Sequence, residues 1–257
     1  GEETRYIGDV LAIVVADTEK NAREAVQKIQ VDYEVLTPVT DPKLALEGSS
    51  PQVHSKGNIL SDAEIHRGDL ENARQKSAFI SSGTYSTQRI EHAFMEMECC
   101  LATPWEQGVE VYSQSQGVYE DRKSISSILG LPQEQVRVKL MPNGGGFGGK
   151  EDLSVQGHAS LAAFLLKKPV RVALTREESI CMHPKRHPLT MDIEMGCDSM
   201  GRFTFVKSDI IGDTGAYASV GMKVLERAAG HASGAYHVDS VEVRSRAVYT
   251  NNIPCGA

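Results

Sequence analysis

The stretch Pro142-Asn-Gly-Gly-Gly-Phe-Gly-Gly-Lys-Glu151 constrains this chain more than any other segment. Five glycines fall within the six positions 144–149. Glycine tolerates positive φ and close approach but loses the most backbone freedom in regular structure, so the run predicts a loop whose N–H groups can meet a ligand. Before it, Val136–Met141 alternates apolar and charged residues as a half-buried strand does, and after it residues 152–166 are a helix candidate. Three readings fit a glycine loop between strand and helix. Gly144, Gly146 and Gly149 satisfy G-x-G-x-x-G, the dinucleotide fingerprint, but Lys150-Glu151 would place an anion where a phosphate docks, and no acidic residue follows about 20 positions on. Gly144 and Gly149-Lys150 nearly match a Walker A loop, but Glu151 replaces the hydroxyl that would hold Mg²⁺. The third reading is a turn that only permits tight packing.

Around the loop, strand and helix patterns alternate. Val10–Ala16 reads as a buried strand, the spacing of Ala22, Ala25, Val26 and Ile29 as an amphipathic helix, and Val31–Leu36 as a second strand, together a β-α-β unit. Residues 41–62 are rich in Pro, Gly, Ser and Asn and read as loop, and Asp69–Lys76 as a polar helix. A domain boundary is expected near Ser77. Strands are then expected over 78–86, 99–103 and 109–113, a helix over 116–129 stopped by Gly130-Leu-Pro132, and further strands over 170–174, 191–195, 202–212 and 241–249. The pattern is that of a mixed α+β chain.

Composition excludes several partners. The 27 basic and 34 acidic residues give a net charge of −7, and no Lys/Arg block exceeds two, so the positive stripe that nucleic acids require is missing. The longest apolar run, Val10–Ala16, is far shorter than the roughly 20 residues of a membrane span. The five cysteines form no C-x-x-C, which argues against a disulfide framework or an iron–sulfur site in this segment and fits reduced thiols in a cytoplasmic protein. His183 and His187 are four apart, but Pro184 and Pro188 forbid the helix that would bring both to one metal. His92 stands among Glu91, Glu96 and Glu98, yet strand alternation would send these side chains to different faces. No metal site is expected from either group. Cys99-Cys100 is expected to be a buried pair, and Arg227 and Lys185-Arg186-His187 to be solvated or ion-paired.

The glycine loop, with its Lys150-Glu151 end, resembles the molybdopterin loop of the xanthine dehydrogenase/aldehyde oxidase family, the molybdenum hydroxylases. Matching pieces stand in the same order: Arg5-Tyr-Ile-Gly-Asp-Val10, Gly68-Asp-Leu70, Glu91-His-Ala-Phe-Met-Glu96, Ser115-Gln116, Arg186-His-Pro188 and Asp213-Thr-Gly-Ala-Tyr217. The runs Lys150–Gln156 and Val248–Pro254 resemble the selenium-dependent xanthine dehydrogenases most, whereas Met97 departs from the proline that many members carry. The resemblance implies that residues 1–76 form the C-terminal part of an α/β-hammerhead domain. Residues 77–257 would then form the first part of a molybdenum cofactor-binding domain.

The resemblance also implies roles. A molybdenum–molybdopterin cofactor would hydroxylate a small heterocyclic substrate with water as the oxygen source. Electrons would pass to iron–sulfur clusters, and in some members to FAD, on partner domains or subunits of an oligomeric enzyme. Gln116 would contact an oxygen on the metal through its neutral amide, and Gly146, Phe147 and Gly148 would present backbone to the cofactor. Glu151 would face the substrate, as it does in purine-oxidising members, where aldehyde-oxidising ones carry an apolar residue. Taken alone, Gln116 reads as an ordinary helix N-terminal amide, and Glu151 fits a first-turn acid as well as a substrate contact. The family's Phe-Arg-Gly segment and general-base glutamate would lie beyond Ala257, and the first residue is Gly rather than Met. The expectation is therefore a fragment that is inactive alone and binds the cofactor weakly or not at all.

Overall fold

The computed structural model describes residues 3–256. In chain order the elements are α1 (Glu19–Val26), α2 (Pro42–Ala45), β1 (Ile59–Arg67), α3 (Leu70–Lys76), β2 (Phe79–Ser86), β3 (Cys99–Trp105) and β4 (Gly108–Ser113). They continue with α4 (Val118–Leu129), β5 (Val136–Leu140), α5 (Val155–Leu166), β6 (Val170–Ala173), α6 (Arg176–Met182), β7 (Leu189–Cys197), β8 (Phe203–Gly215), α7 (Gly221–His231) and β9 (Ser240–Tyr249). The class is mixed α+β, and the elements fall into two compact units. One holds the described residues through Thr37 with His92–Pro184, and the other holds Pro38–Glu91 with the residues from Lys185 onward.

The first unit is built on a four-stranded sheet of order β5-β4-β3-β6, in which only β4 and β5 run parallel. Helix α4 makes the β4-to-β5 crossover. Its left-handed C-cap Gly130, at φ 65°, stops it as the sequence predicts. Helix α5 lies against β3, β4, β6 and α4. Between helices and sheet, Ile125, Val109, Val111, Val136, Val155, Ala159 and Ala163 form a core that water does not reach.

The second unit is a five-stranded sheet of order β1-β9-β8-β7-β2, with β8 and β9 parallel and the other pairs antiparallel. Leu225 and Ala229 of α7 seal its core against Val206, Val241 and Val243. At the end of β8 the buried carboxylate of Asp213 accepts from the Arg89 guanidinium, the Asn252 amide, the Thr250 hydroxyl and the Gly215 N–H. Lys185 is buried and paired with Glu91 at 2.7 Å, so this part of the basic triplet is ion-paired rather than solvated.

Several expectations change. The β-α-β unit is not formed. Residues 10–16 and 31–36 have no strand partner among the described residues and lie largely exposed, and only the helix between them is regular. A strand without a neighbour leaves its N–H and C=O groups unpaired, so apolar content alone does not create one. Helix α1 buries no residue. It is anchored instead by Arg23, which bonds Glu178 and the Ala173 carbonyl. The presumed loop 41–62 contains α2 and the start of β1. Ser77 lies inside the second unit, because β1 before it and β2 after it belong to one sheet.

The core of the first unit makes a graded prediction. Ile125→Ala is expected to cost about 2–5 kcal/mol in denaturant unfolding, because it leaves a cavity in a closed core. Ile128→Ala, on the half-exposed face of the same helix, should cost clearly less. Equal losses would show that the helix does not pack on this face.

Candidate functional site

The glycine loop begins where β5 ends, and it lies beside the connection from β4 to α4. That adjacency follows from the parallel β4–β5 pairing, which brings the C-terminal ends of both strands together: the Met141 N–H donates to the Ser113 carbonyl at 2.8 Å. Gln116, two residues before α4, binds the loop three times. Its backbone N–H donates to the Lys150 carbonyl at 2.9 Å, and its side-chain Oε1 accepts from the N–H groups of Gly148 at 3.0 Å and Lys150 at 3.1 Å. A Cβ on Gly146 would overlap that oxygen, so glycine is required there for close approach.

The two N–H donors settle which way the Gln116 amide points. Oxygen faces the loop, so Nε2 faces away from it as a donor, with no acceptor among the described residues. Other loop amides are capped from within the protein: Gly144 N–H by the Glu96 carboxylate, Gly145 N–H by Asn143 Oδ1, and Gly149 N–H by the Gly146 carbonyl. The N–H groups of Gly146 and Phe147 find no acceptor among the described residues. Two backbone donors, one on buried Gly146 and one on exposed Phe147, and the amide donor of exposed Gln116 therefore have no protein acceptor among these residues, a set suited to an electron-rich, oxygen-bearing group. This donor set fits a molybdopterin cofactor.

Phe147 stands at the loop apex with φ 53°, a conformation that costs a non-glycine residue about 1–2 kcal/mol. Its side chain is 71% exposed, so no burial in this unit offsets that strain. Glu151 is exposed and belongs to no helix, since α5 starts only at Val155. The reading of Glu151 as a first-turn acid therefore does not hold. Nor does the dinucleotide reading: the loop does not open onto the first turn of α5, and neither sheet is doubly wound and parallel.

Beneath the loop lies an irregular segment, residues 92–98, that is not a strand. Its acidic side chains go to separate partners, Glu96 to the loop and Glu98 to the fully buried His183 at 3.2 Å. Among the described residues no group of three or more His, Cys, Asp or Glu gathers as a metal site. Among the described residues no helix is long and apolar enough to cross a membrane. Cys100 is buried, and that burial pushes its thiol up to about 12, so it is not a thiolate nucleophile.

The sequence pattern does not reveal Glu96 or Lys150 as partners of the loop. Lys150 is buried, donates from Nζ to the Glu96 carbonyl at 2.8 Å, and sits 4.5 Å from the Phe94 ring centroid. Burial lowers its ammonium pKa, and the carboxylates of Glu98 and Glu96 act the other way.

The helix that follows Gln116 is itself tied down by a buried polar chain. Ser113 donates to Asp121 at 2.9 Å, and Gln156 Nε2 of α5 donates to Ser113 at 3.1 Å. Burial pushes the Asp121 carboxyl above the ordinary aspartate range, against hydrogen bonds from Ser115 and Ser113 that favour the anion. The raised carboxyl contributes fully below the unfolded pKa of about 3.9, and that contribution is lost as pH rises through the folded value. Asp121→Asn should therefore gain stability relative to the parent as pH rises from about 4 and then level off. Urea unfolding across that range checks this, and a variant that loses stability relative to the parent as pH rises would contradict it.

Known proteins resemble this chain over most of its length. The family described as molybdopterin cofactor-binding domain matches residues 53–257. The nicotinate dehydrogenase large molybdopterin subunit of Eubacterium barkeri is 38% identical over 257 residues, covering all of this chain and 60% of that protein. The xanthine dehydrogenase molybdenum-binding subunit of Escherichia coli O157:H7 is 31% identical over 260 aligned residues, 98% of this chain and 34% of that one. Quinoline 2-oxidoreductase from Pseudomonas putida 86 superposes with a TM-score of 0.91 at 30% identity, over 99% of this chain and 33% of that structure. The aldehyde oxidoreductase from Desulfovibrio desulfuricans ATCC 27774 does so with a TM-score of 0.94 at 25% identity, over 98% and 28%. This chain spans less than two thirds of the length of each of these relatives. The match over residues 53–257 places the chain in the molybdenum hydroxylases, as a member of their molybdopterin cofactor-binding domain family.

Proposed function

We propose that this chain supplies one wall of the cofactor site in an oxidoreductase that hydroxylates a nitrogen heteroaromatic of the purine type, such as xanthine or hypoxanthine. The observation that carries the reading is the Gln116 amide, whose oxygen is held by two loop N–H groups while its nitrogen is left to donate. Three of the relatives are named for nicotinate, xanthine and quinoline, all nitrogen heteroaromatics, which supports this substrate class over aldehydes.

Molybdopterin with its metal would supply two-electron oxidation with oxygen from water, the electrons leaving to iron–sulfur clusters and FAD on partner domains or subunits. The work of this chain is to position and to donate. Gln116 Nε2 would donate to an oxygen of the cofactor, a task for a neutral amide because a carboxylate would repel that oxygen. The free N–H groups of Gly146 and Phe147 would add two fixed donors whose orientation needs no rearrangement on binding. Phe147 would offer an apolar face beside them. Glu151, exposed at the end of the loop, would accept a ring N–H of the substrate and follow the charge that develops on the ring.

Two substitutions in the holoenzyme test this. Gln116→Glu keeps an acceptor for Gly148 and Lys150 but replaces the outward donor with an anion. It should preserve the thermal midpoint while turnover of xanthine or nicotinate falls about 10²–10³-fold, the usual effect of losing one such donor. Undiminished turnover would overturn the role of Gln116. Glu151→Ala should impair purine turnover more than aldehyde turnover, and full retention of purine activity would remove Glu151 from the site.

A further inference from the structure

We infer that Glu96 and Lys150 form a clasp that ties both ends of the glycine loop to one residue, making both of them positioning residues for the cofactor donors. The inference rests on the reading of the loop as a cofactor cradle, and it adds residues that this reading does not use.

The loop enters at Gly144 and leaves at Lys150, and Glu96 meets both. Its carboxylate accepts the Gly144 N–H at 2.5 Å, and its backbone carbonyl accepts from Lys150 Nζ at 2.8 Å. The preceding residue adds a third tie, from the Met95 N–H to the Gly144 carbonyl at 3.2 Å. The approach is close, since a Cβ on Gly144 would stand 2.8 Å from that of Glu96. The segment that carries Glu96 is irregular and needs its own support. Arg176, the first residue of α6, supplies it by donating to the Phe94 and Met95 carbonyls, both at 2.8 Å.

Lys150 follows a glycine run, where a lysine would ordinarily reach for a phosphate. Here it is 4% exposed, its ammonium lies over the Phe94 ring, and its hydrogen bond goes to backbone. A buried ammonium is costly unless it is paired, so this lysine is committed to the scaffold. The outcome is a division of the loop amides. Those of Gly144, Gly145, Gly148, Gly149 and Lys150 are held by the protein, and those of Gly146 and Phe147 are left for a ligand.

The test compares Glu96→Ala, Glu96→Gln and Lys150→Met in the holoenzyme, reading hydrogen exchange across residues 144–150 together with molybdenum and pterin content per protein. Glu96→Ala and Lys150→Met should speed exchange in the loop while α4 and α5 stay protected, and should lower cofactor retention about 10–100-fold, as removal of supporting partners commonly does. Glu96→Gln keeps an acceptor for Gly144 and should restore both readouts. Parent-like loop exchange in Glu96→Ala, or Glu96→Gln as defective as Glu96→Ala, would overturn the clasp. Faster loop exchange in the variants of a parent that itself holds neither metal nor pterin would uphold the clasp and refute the cofactor reading instead.

Discussion

A loop of glycines has no side chains with which to hold itself, so its shape depends on where its N–H groups find acceptors. In this chain one side-chain oxygen, Oε1 of Gln116, takes two of them. That bond pair fixes the loop against the start of α4, and it also orients the amide that does it. Structure and chemistry are joined in a single side chain, because the face of the glutamine that organises the loop determines which face is left outward.

The rest of the first unit serves this geometry. Parallel pairing of β4 with β5 brings Gln116 and the loop together, since both leave the same end of the sheet. Val109, Val111 and Val136 lock that pair beneath α4 and α5. The hydroxyl of Ser113, between Asp121 and Gln156, joins the two helices at the mouth of the strands. Buried polar groups are costly when left unsatisfied, so this chain defines one helix arrangement more strictly than an apolar contact would.

Local patterns carried the sequence reading where structure is local. Strand alternation at 136–140, the Gly130 stop and the glycine run are visible without any partner, and all three stand in the fold. Gln116 and the glycine loop stand out in the sequence through the motifs that carry the family resemblance, whereas the contact between them spans 32 to 34 residues and leaves no local pattern. Apolar content misled at 10–16 and 31–36, where no neighbouring strand completes the hydrogen bonding. It was silent for β1, an edge strand exposed along most of its length, and for α7, which begins at Gly221 without a side-chain cap. Glu96 and Lys150 were unreadable because the bond that joins them spans 54 residues of chain and involves a backbone carbonyl, which leaves no mark on residue identity.

The interleaving of the two units bears on the order in which the chain can fold during synthesis. The first unit is complete once Pro184 has emerged, and its four strands all lie between Cys99 and Ala173. The second cannot close then. Strands β1 and β2 are made early, yet among the described residues β1 pairs only with β9 and β2 only with β7, and both partners begin after residue 188. At translation rates of about 5–20 residues per second, β1 waits for roughly ten seconds or more without its neighbour. During that interval its unpaired backbone is open to other chains, so the second unit, not the one that carries the loop, is the part of the molecule most exposed to misassembly.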